Sequence, residues 1–158
     1  MLRILDIVST FLYVRAVPYE EKRAWIMVVV TVVAYAIYAT IILGRATDLP
    51  VTEVPYVATL LWTIGGAILA TIVLTILAGI FSPQGSDRTD QRDREINRFG
   101  EYIGQSFVVI GGVAALILAM AEVPHFWIAN AVYLAFVLSS VLGSVAKIFA
   151  YRVGFHPW

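Results

Sequence analysis

The sequence predicts an all-α fold: a four-helix transmembrane bundle with an N-terminal amphipathic helix and a cytoplasmic extension of the third helix. Of its 158 residues, 60% are hydrophobic and only 14% are charged. A water-soluble domain of this size leaves much of its surface wet and could not hide so much apolar surface. The apolar residues also fall into four runs, each close to the length of about 20 residues that a helix needs to cross a bilayer. These runs are 24–43, 57–81, 104–121 and 126–149.

The basic residues are the third observation, because they are shared unevenly between the two sides of the membrane. Four crossings place the N-terminus, the polar segment 82–103 and the C-terminus on one side, which carries ten of the eleven Lys and Arg residues. The other side carries only Arg45. By the positive-inside rule the basic side is cytoplasmic. We therefore expect residues 1–158 to form a single integral membrane domain of the cell membrane, with both termini in the cytoplasm.

The first element, residues 1–17, is predicted to be an amphipathic helix that lies in the membrane interface. Its polar residues recur at helical spacing on one face, and apolar residues fill the other face. Asp6 interrupts the apolar stretch and no small-residue cleavage site precedes Pro18, so we expect the segment to be retained. The alternative is a disordered or partner-bound arm. The polar residues are Arg3, Asp6, Thr10 and Tyr13.

Acids and prolines mark the expected starts of the transmembrane helices. Glu20 and Glu21 fall in the first turn of the first helix, where a carboxylate favours the positive end of the helix dipole. Both outer loops end in Glu-Val-Pro, at 53–55 and 122–124. Proline fits a first helical turn because its missing N–H would have no partner there. The recurrence is either good start chemistry used twice or a trace of duplication, in which helices one and two correspond to three and four.

Glycines predict where the helices approach one another. Helices two and three both contain Ile-Gly-Gly, at 64–66 and 110–112, at a similar depth. Because small residues let helix backbones approach closely in lipid, we expect a tight antiparallel contact between these two helices near mid-membrane. Gly100 and Gly104 form a further small-xxx-small pair. The predicted packing residues are Gly65, Gly66, Gly100, Gly104, Gly111, Gly112 and Gly143.

The segment 82–103 is the only strongly polar part of the chain, and its charges alternate in sign. Opposite charges recur three or four residues apart, where helical side chains meet, so the segment is predicted to be helical. A helix unbroken over 89–120 would extend about 48 Å, well beyond a hydrocarbon core of about 30 Å. Its polar face is either an ordinary solvated surface or a docking surface for a cytoplasmic protein or a second copy of the chain. The candidate partner-binding residues are Asp90, Arg92, Asp93, Arg94, Glu95 and Arg98.

Four polar residues are predicted to lie within the membrane, where they are costly unless they face protein or water. Asn130 is expected to form a hydrogen bond between helices or, alternatively, to line a pathway. Lys147 lies near a helix end, where its ammonium can reach the headgroups, or it pairs with Glu101 across the bundle. The complete set is Glu101, Gln105, Asn130 and Lys147.

The string Asp-x-Arg-Asp-x-x-Ile at 90–96, followed by a glycine and an apolar helix, resembles an uncharacterised prokaryotic family, a domain of unknown function with four predicted crossings. The resemblance continues through 125–131 and 143–147 and covers the greater part of the chain. It implies a four-span fold. Some members are encoded beside small helix-turn-helix regulators, which implies a cytoplasmic repressor as a partner. The resemblance implies no activity and no catalytic residue.

The residues offer little support for an enzyme, a cofactor or a metal site. The chain has no cysteine, which removes thiolate ligands and Cys nucleophiles. Its two histidines, His125 and His156, fall on opposite sides of the predicted membrane, so one chain cannot bring them to one ion. Its charges are interleaved rather than blocked, so we expect no direct binding of nucleic acid. The sequence predicts no catalytic residue, no cofactor-binding residue and no metal ligand.

The sequence therefore favours a multi-pass membrane protein that acts as a non-enzymatic interaction or regulatory protein through its cytoplasmic helix. Its expected partners are the lipid bilayer and either a cytoplasmic protein or further copies of itself. The alternative is a small homo-oligomeric transporter or channel, in which the four intramembrane polar residues converge on a wet cavity. A third class, a passive subunit of a larger complex, predicts bare apolar patches on the isolated chain.

Overall fold

The structure, a computed structural model, describes residues 19–47, 49–80 and 91–153. Over these ranges the chain forms four long helices and no strand, and each helix is long and apolar enough to cross a membrane. The predicted all-α, four-helix fold is thereby confirmed, whereas the amphipathic helix expected at 1–17 lies outside the described residues. The helices are α1 (Tyr19–Arg45), α2 (Val57–Ile80), α3 (Gln91–Met120) and α4 (His125–Val153), with a 3-10 turn at Val51–Glu53.

The two ends of the bundle differ in chemistry. At one end the start of α1 meets the end of α2, since the Tyr19 hydroxyl donates to the Thr75 carbonyl at 3.3 Å. The start of α3 and the end of α4 lie at the same end, which we call the polar end. At the other end, the loop end, Arg45 donates to the Pro55 carbonyl at 2.9 Å and to the Thr59 hydroxyl at 3.0 Å. The single basic residue of the loop end therefore closes the α1–α2 hairpin.

The helices pack in the order α2–α1–α4–α3, with α1 and α4 in the centre. The contact between α3 and α4 is the most extensive, and α1 packs to a similar extent against α2 and α4. This order does not support duplication, because α1 is central whereas α3, its supposed counterpart, has one main neighbour. Much apolar surface faces outward; the indole-bearing Trp62 of α2 is 81% exposed. Such a surface suits lipid rather than water.

The expected contact between the two Ile-Gly-Gly segments is wrong. A Cβ built at Gly65, Gly66 or Gly112 meets nothing within 4 Å. The physical reason is the packing order: α2 packs against α1, and α3 packs against α4, so the second and third helices are not close neighbours. Small residues permit a close approach but do not choose the partner.

The other four predicted packing glycines lie where α3 crosses α4. A Cβ at Gly100 would lie 2.6 Å from the Gly143 carbonyl oxygen, and a Cβ at Gly143 would lie 2.8 Å from that of Gly100. A Cβ at Gly104 would lie 2.9 Å from the Ser139 carbonyl oxygen. One at Gly111 would overlap the Ala135 methyl group. Backbone-to-backbone contact therefore holds α3 against α4 around Gly100, Gly104 and Gly143, and further along Gly111 lies against a side-chain methyl group.

An aromatic cluster forms the core near the loop end. The Tyr38 ring of α1 stacks edge-to-face on Tyr133 of α4, with ring centroids 5.0 Å apart, and Phe126 meets Tyr56 in the same way at 5.2 Å. Tyr38, only 2% exposed, donates its hydroxyl to Asn130 Oδ1 at 2.8 Å. The interhelix hydrogen bond expected at Asn130 is therefore present, and it joins α1 to α4.

Glu122, which the sequence analysis places at the start of the fourth helix, instead belongs to the motif that ends α3. Glu122 has φ of 51°, in the left-handed region. Its N–H donates to the Ala119 carbonyl at 3.1 Å, and the Val123 N–H donates to Leu118 at 3.1 Å, the pattern of a Schellman cap. Glu53, in contrast, lies in the 3-10 turn before α2. The two Glu-Val-Pro segments thus have different roles, and both prolines precede the first helical residue.

The third helix is longer than a hydrocarbon core, as predicted, and α1 and α4 are also longer than the core. α3 has 30 residues, a length of about 45 Å, against a hydrocarbon core of about 30 Å. α1 and α4, with 27 and 29 residues, also exceed the core. Because Ile96 of α3 is fully buried, the polar part of α3 is packed against these helices rather than standing alone.

Candidate functional site

The polar end is held together by hydrogen bonds between residues far apart in the sequence. Asn97 of α3 donates through Nδ2 to Glu20 Oε2 of α1 at 3.3 Å. The Tyr151 hydroxyl of α4 donates to Asp93 Oδ1 of α3 at 2.8 Å. Two polar residues of the extended part of α3 are thus bound to the helices beside it. These bonds fix the orientation of that part of α3, so that the side facing away from α1 and α4 is exposed to solvent.

A second cluster joins α1 to α4 at the same end. Glu21 is buried, with 6% of its surface exposed, and its Oε1 accepts from Arg152 Nε at 3.1 Å. The Arg152 guanidinium also lies over the Trp25 ring, 5.6 Å from its centroid. A buried carboxylate is costly unless it is paired, and the contact with the ring holds the guanidinium in place. Sequence reasoning missed this cluster, because an acid in a first helical turn already has a sufficient explanation in the helix dipole.

Between the four helices at the polar end lies a pocket of about 160 Å³, which we call the polar pocket. Lys147 Nζ of α4 lies 3.9 Å from Glu101 Oε1 of α3 at its edge, and Arg23 of α1 lies 3.4 Å from Glu20. Both pairs are partly exposed, so each is worth at most about 1 kcal/mol. The described lining of the pocket therefore carries two positive and two negative charges, and its ion pairs are weak enough to exchange partners. Its polar lining is Glu20, Arg23, Thr71, Thr75, Asn97, Glu101, Ser144 and Lys147.

Three of the predicted partner-binding residues are arginines that face outward. Arg92, Arg94 and Arg98 are exposed, and none of the three ion pairs formed between described residues includes them. Tyr102 follows Arg98 by four residues and is 74% exposed. At helical spacing Arg94, Arg98 and Tyr102 share one face, opposite the face that packs on α4. We call these three residues the arginine face.

The acidic members of the predicted set have other surroundings. Asp93 is partly buried and accepts the hydrogen bond from Tyr151. Glu95 is partly buried, and Gln91 Nε2 donates to its Oε1 at 3.5 Å. Asp90 lies outside the described residues. The predicted set is therefore divided, with the basic residues open and the described acids in contact with the chain itself.

The four intramembrane polar residues do not converge on one cavity within the chain. Glu101 and Lys147 meet at the polar pocket, whereas Gln105 is exposed on α3. Asn130 is about 25 Å from Lys147 along α4 at 1.5 Å per residue, and it is bonded to Tyr38 and to the Phe126 carbonyl. The Lys147 stem crosses the backbone of Gly100. Lys147 therefore combines an apolar contact for its stem with a carboxylate partner for its head.

Hydroxyl groups link the central helices at mid-bundle, and the one on α1, that of Thr31, was not identified from the sequence. Thr31 of α1 and Ser140 of α4 form a hydrogen bond of 3.0 Å. The signal was present in the sequence, since polar residues in apolar helices tend to face protein.

His125 begins α4 at the loop end, and His156 lies beyond the described range. Among the residues that the structure describes, no group of three His, Cys, Asp or Glu side chains could hold a metal ion.

Comparisons with known proteins give no match: no protein-family model, no curated protein and no solved structure matches this sequence. The resemblance of residues 90–96 to a four-span family stays a prediction. The contacts, burial and charges of the described residues are thus the basis on which a function is inferred.

Proposed function

We propose that this chain is a multi-pass protein of the cell membrane, with its polar end in the cytoplasm, that acts as a non-enzymatic interaction or regulatory protein. The arginine face of α3 would be its docking surface. The observation that carries the proposal is the contrast within one short segment. Arg94 and Arg98 are exposed and make no ion pair with a described residue, whereas Asp93 and Asn97, beside them, are bonded to other helices.

The packing of α3 supports this role because it presents the arginine face on a fixed support. Ile96 is fully buried, and Gly100 and Gly104 lie against the α4 backbone. A docking surface that is already ordered loses little conformational entropy on binding. The free energy gained from contacts with the partner is then not reduced by the cost of folding the segment.

The charge of the arginine face indicates the chemistry of the partner. Two guanidinium groups one turn apart match two carboxylates on a partner, and Arg pairs with carboxylates in a bidentate geometry. A symmetric contact with a second copy, centred on this face, would bring arginines against arginines. An acidic surface of a cytoplasmic protein is therefore the partner that we favour over a sister chain.

Transport is the weaker proposal. It predicts that Glu101, Gln105, Asn130 and Lys147 converge on a wet cavity in a homo-oligomer. Within one chain only Glu101 and Lys147 meet, and Asn130 is already bonded to Tyr38. The Glu101–Lys147 pair at the polar pocket is the one contact in its favour. Flux into proteoliposomes that is abolished by Glu101→Gln would support transport over docking.

Charge reversal tests the docking proposal. The double variant Arg94→Glu and Arg98→Glu is compared with Lys22→Glu, which reverses a cation on α1 at the same end of the bundle. A photo-crosslinking residue at position 102 then captures whatever contacts the arginine face in cells. We expect one crosslinked protein for the wild type and for Lys22→Glu, and its loss in the double variant.

Two outcomes would contradict the docking proposal. Crosslinks to lipid alone would assign the arginine face to phospholipid headgroups. An unchanged crosslinking pattern in the double variant would show that the two arginines do not recognise the partner. Co-migration of all variants in detergent would verify that charge reversal has left the fold intact.

A further inference from the structure

A long groove adjoins the polar pocket and opens sideways toward the surrounding lipid. It has a volume of about 410 Å³ and lies between α2 and α4, with α1 as its floor. Met27 and Thr71 line both the groove and the polar pocket, so the two spaces adjoin at these residues. The groove exists because α2 and α3, the outer helices, pack on different neighbours and leave the space between them open.

The groove changes in character along its length. The polar pocket at its mouth is lined by Glu101 and Lys147. Deeper in the membrane the walls of the groove are mainly apolar, with Ile68 and Phe136 among them. Thr75 in the pocket and Ile64 at the far end of the groove are about 16 Å apart along α2. Half of a hydrocarbon core is about 15 Å thick. The space therefore has the depth of one leaflet, a polar mouth at the headgroup level and a volume typical of ligand sites.

The charges at the mouth select among headgroups. Glu20 and Glu101 carry negative charge, and Arg23 and Lys147 carry positive charge, so the described lining of the mouth has no net formal charge and offers partners of both signs. A zwitterionic headgroup has the same property, with a phosphate for the cations and an amine for the carboxylates. A purely anionic headgroup would leave the two carboxylates unpaired and opposed to its charge.

The amine of the headgroup can be specified further. A primary ammonium has three N–H donors, which suit carboxylate oxygens and the amide oxygen of Asn97. A quaternary ammonium has none, and proteins recognise it with aromatic side chains around the charge. Among the described side chains that line the polar pocket, none carries an aromatic ring. The mouth is thus better matched to ethanolamine than to choline.

We propose that this groove is a binding site for one phosphatidylethanolamine molecule of the leaflet at the polar end. Its ammonium lies among Glu101, Glu20 and Asn97, and its phosphate lies near Lys147 and Arg23. One acyl chain runs along the groove past Met27 and Phe136. The loose Glu101–Lys147 pair, at 3.9 Å, leaves both groups able to take lipid partners. This site is independent of the arginine face, which lies on the outer surface of α3.

The experiment measures thermal stability of the full chain in nanodiscs of dioleoylphosphatidylcholine. The same nanodiscs then receive increasing shares of the matching phosphatidylethanolamine or phosphatidylglycerol. Because a ligand that binds only the folded state stabilises it, the unfolding midpoint should rise with phosphatidylethanolamine and saturate. Phosphatidylglycerol should give no saturating rise. Native mass spectrometry should show one retained phosphatidylethanolamine for each chain.

Variants locate the effect in the groove. Glu101→Gln and Lys147→Met each remove one charged contact while keeping the side-chain length, so the share of phosphatidylethanolamine at half-saturation should rise about tenfold. Glu53→Gln and Lys22→Met, outside the groove, are the matched controls and should leave it unchanged. Ala67→Phe fills the apolar part and should remove the retained lipid while the chain remains folded in phosphatidylcholine.

Three results would overturn the proposal. An equal rise with phosphatidylglycerol would indicate a general annulus of lipid instead of a site. An unaltered midpoint in phosphatidylethanolamine would show that the groove does not bind it. Groove variants that respond to the lipid as the controls do would place the binding elsewhere on the chain.

Discussion

Two adjacent glycines of α3 should respond in opposite ways to the same substitution. Gly111 faces α4, and a Cβ added there would overlap the methyl group of Ala135. Gly112 faces away, and a Cβ added there meets nothing within 4 Å. The variants Gly111→Ala and Gly112→Ala therefore differ in helix packing but share their depth in the membrane and their change in helix propensity.

The size of the difference follows from these surroundings. Replacing glycine by alanine within a helix gains about 0.5–1 kcal/mol through the backbone. Overpacking a close contact costs about 1–3 kcal/mol, because the two helices must move apart. The backbone gain is common to both variants. Gly112→Ala should therefore be neutral or slightly stabilised, and Gly111→Ala should be less stable than it by about 1–3 kcal/mol.

Unfolding in mixed detergent micelles with increasing dodecyl sulfate, followed by tryptophan fluorescence, measures this difference. The double variant Gly111→Ala with Ala135→Gly removes the opposing methyl group and should recover most of the loss, as coupled neighbours do. Equal stability of the two single variants would refute the α3–α4 contact. Failure of Ala135→Gly to rescue Gly111→Ala would show that the loss arises elsewhere.

Three further substitutions test other contacts, with the same unfolding measurement. Tyr38→Phe removes the hydrogen bond to Asn130 and should cost about 0.6 kcal/mol, the average for such bonds in membranes, and no more than about 1.7 kcal/mol; a neutral effect would show that the bond contributes nothing. Glu122→Gly relieves the left-handed backbone conformation and should stabilise the chain by about 1 kcal/mol, so a loss of stability would argue against this cap. Glu21→Gln weakens the pair with Arg152 and should cost up to about 1 kcal/mol, a difference that should shrink in high salt. If salt leaves that difference unaltered, the ion pair is not its cause.

The sequence was sufficient to predict the four crossings, because hydrocarbon imposes the same demand on every residue of a span. The runs at 24–43 and 126–149 lie within the helices Tyr19–Arg45 and His125–Val153. The order of the helices could not be predicted in the same way. Ile-Gly-Gly shows where a helix can be approached, but Gly65 and Gly112 are open, while Gly111 meets α4. Which helix approaches depends on the fit of whole surfaces.

The candidate site was predictable in part. The polar segment was identified from its composition, and its arginines are exposed as a docking surface requires. Its internal bonds were not foreseen, because Asn97 and Asp93 find partners on α1 and α4, many residues away. Helical spacing reports neighbours within one helix and says nothing of partners on another. The pairing of Glu21 with Arg152 was not foreseen either, because the helix dipole already explained an acid in the first turn of α1.

The side of the membrane on which the polar end lies is the claim on which the docking proposal depends most directly. The chain has no cysteine, so single cysteines can be introduced without background. Leu49→Cys marks the loop end and Arg92→Cys marks the polar end. In intact cells treated with a membrane-impermeant maleimide, we expect labelling of Leu49→Cys alone, and labelling of Arg92→Cys only after the membrane is opened. Labelling of Arg92→Cys from outside the intact cell would contradict a cytoplasmic docking surface.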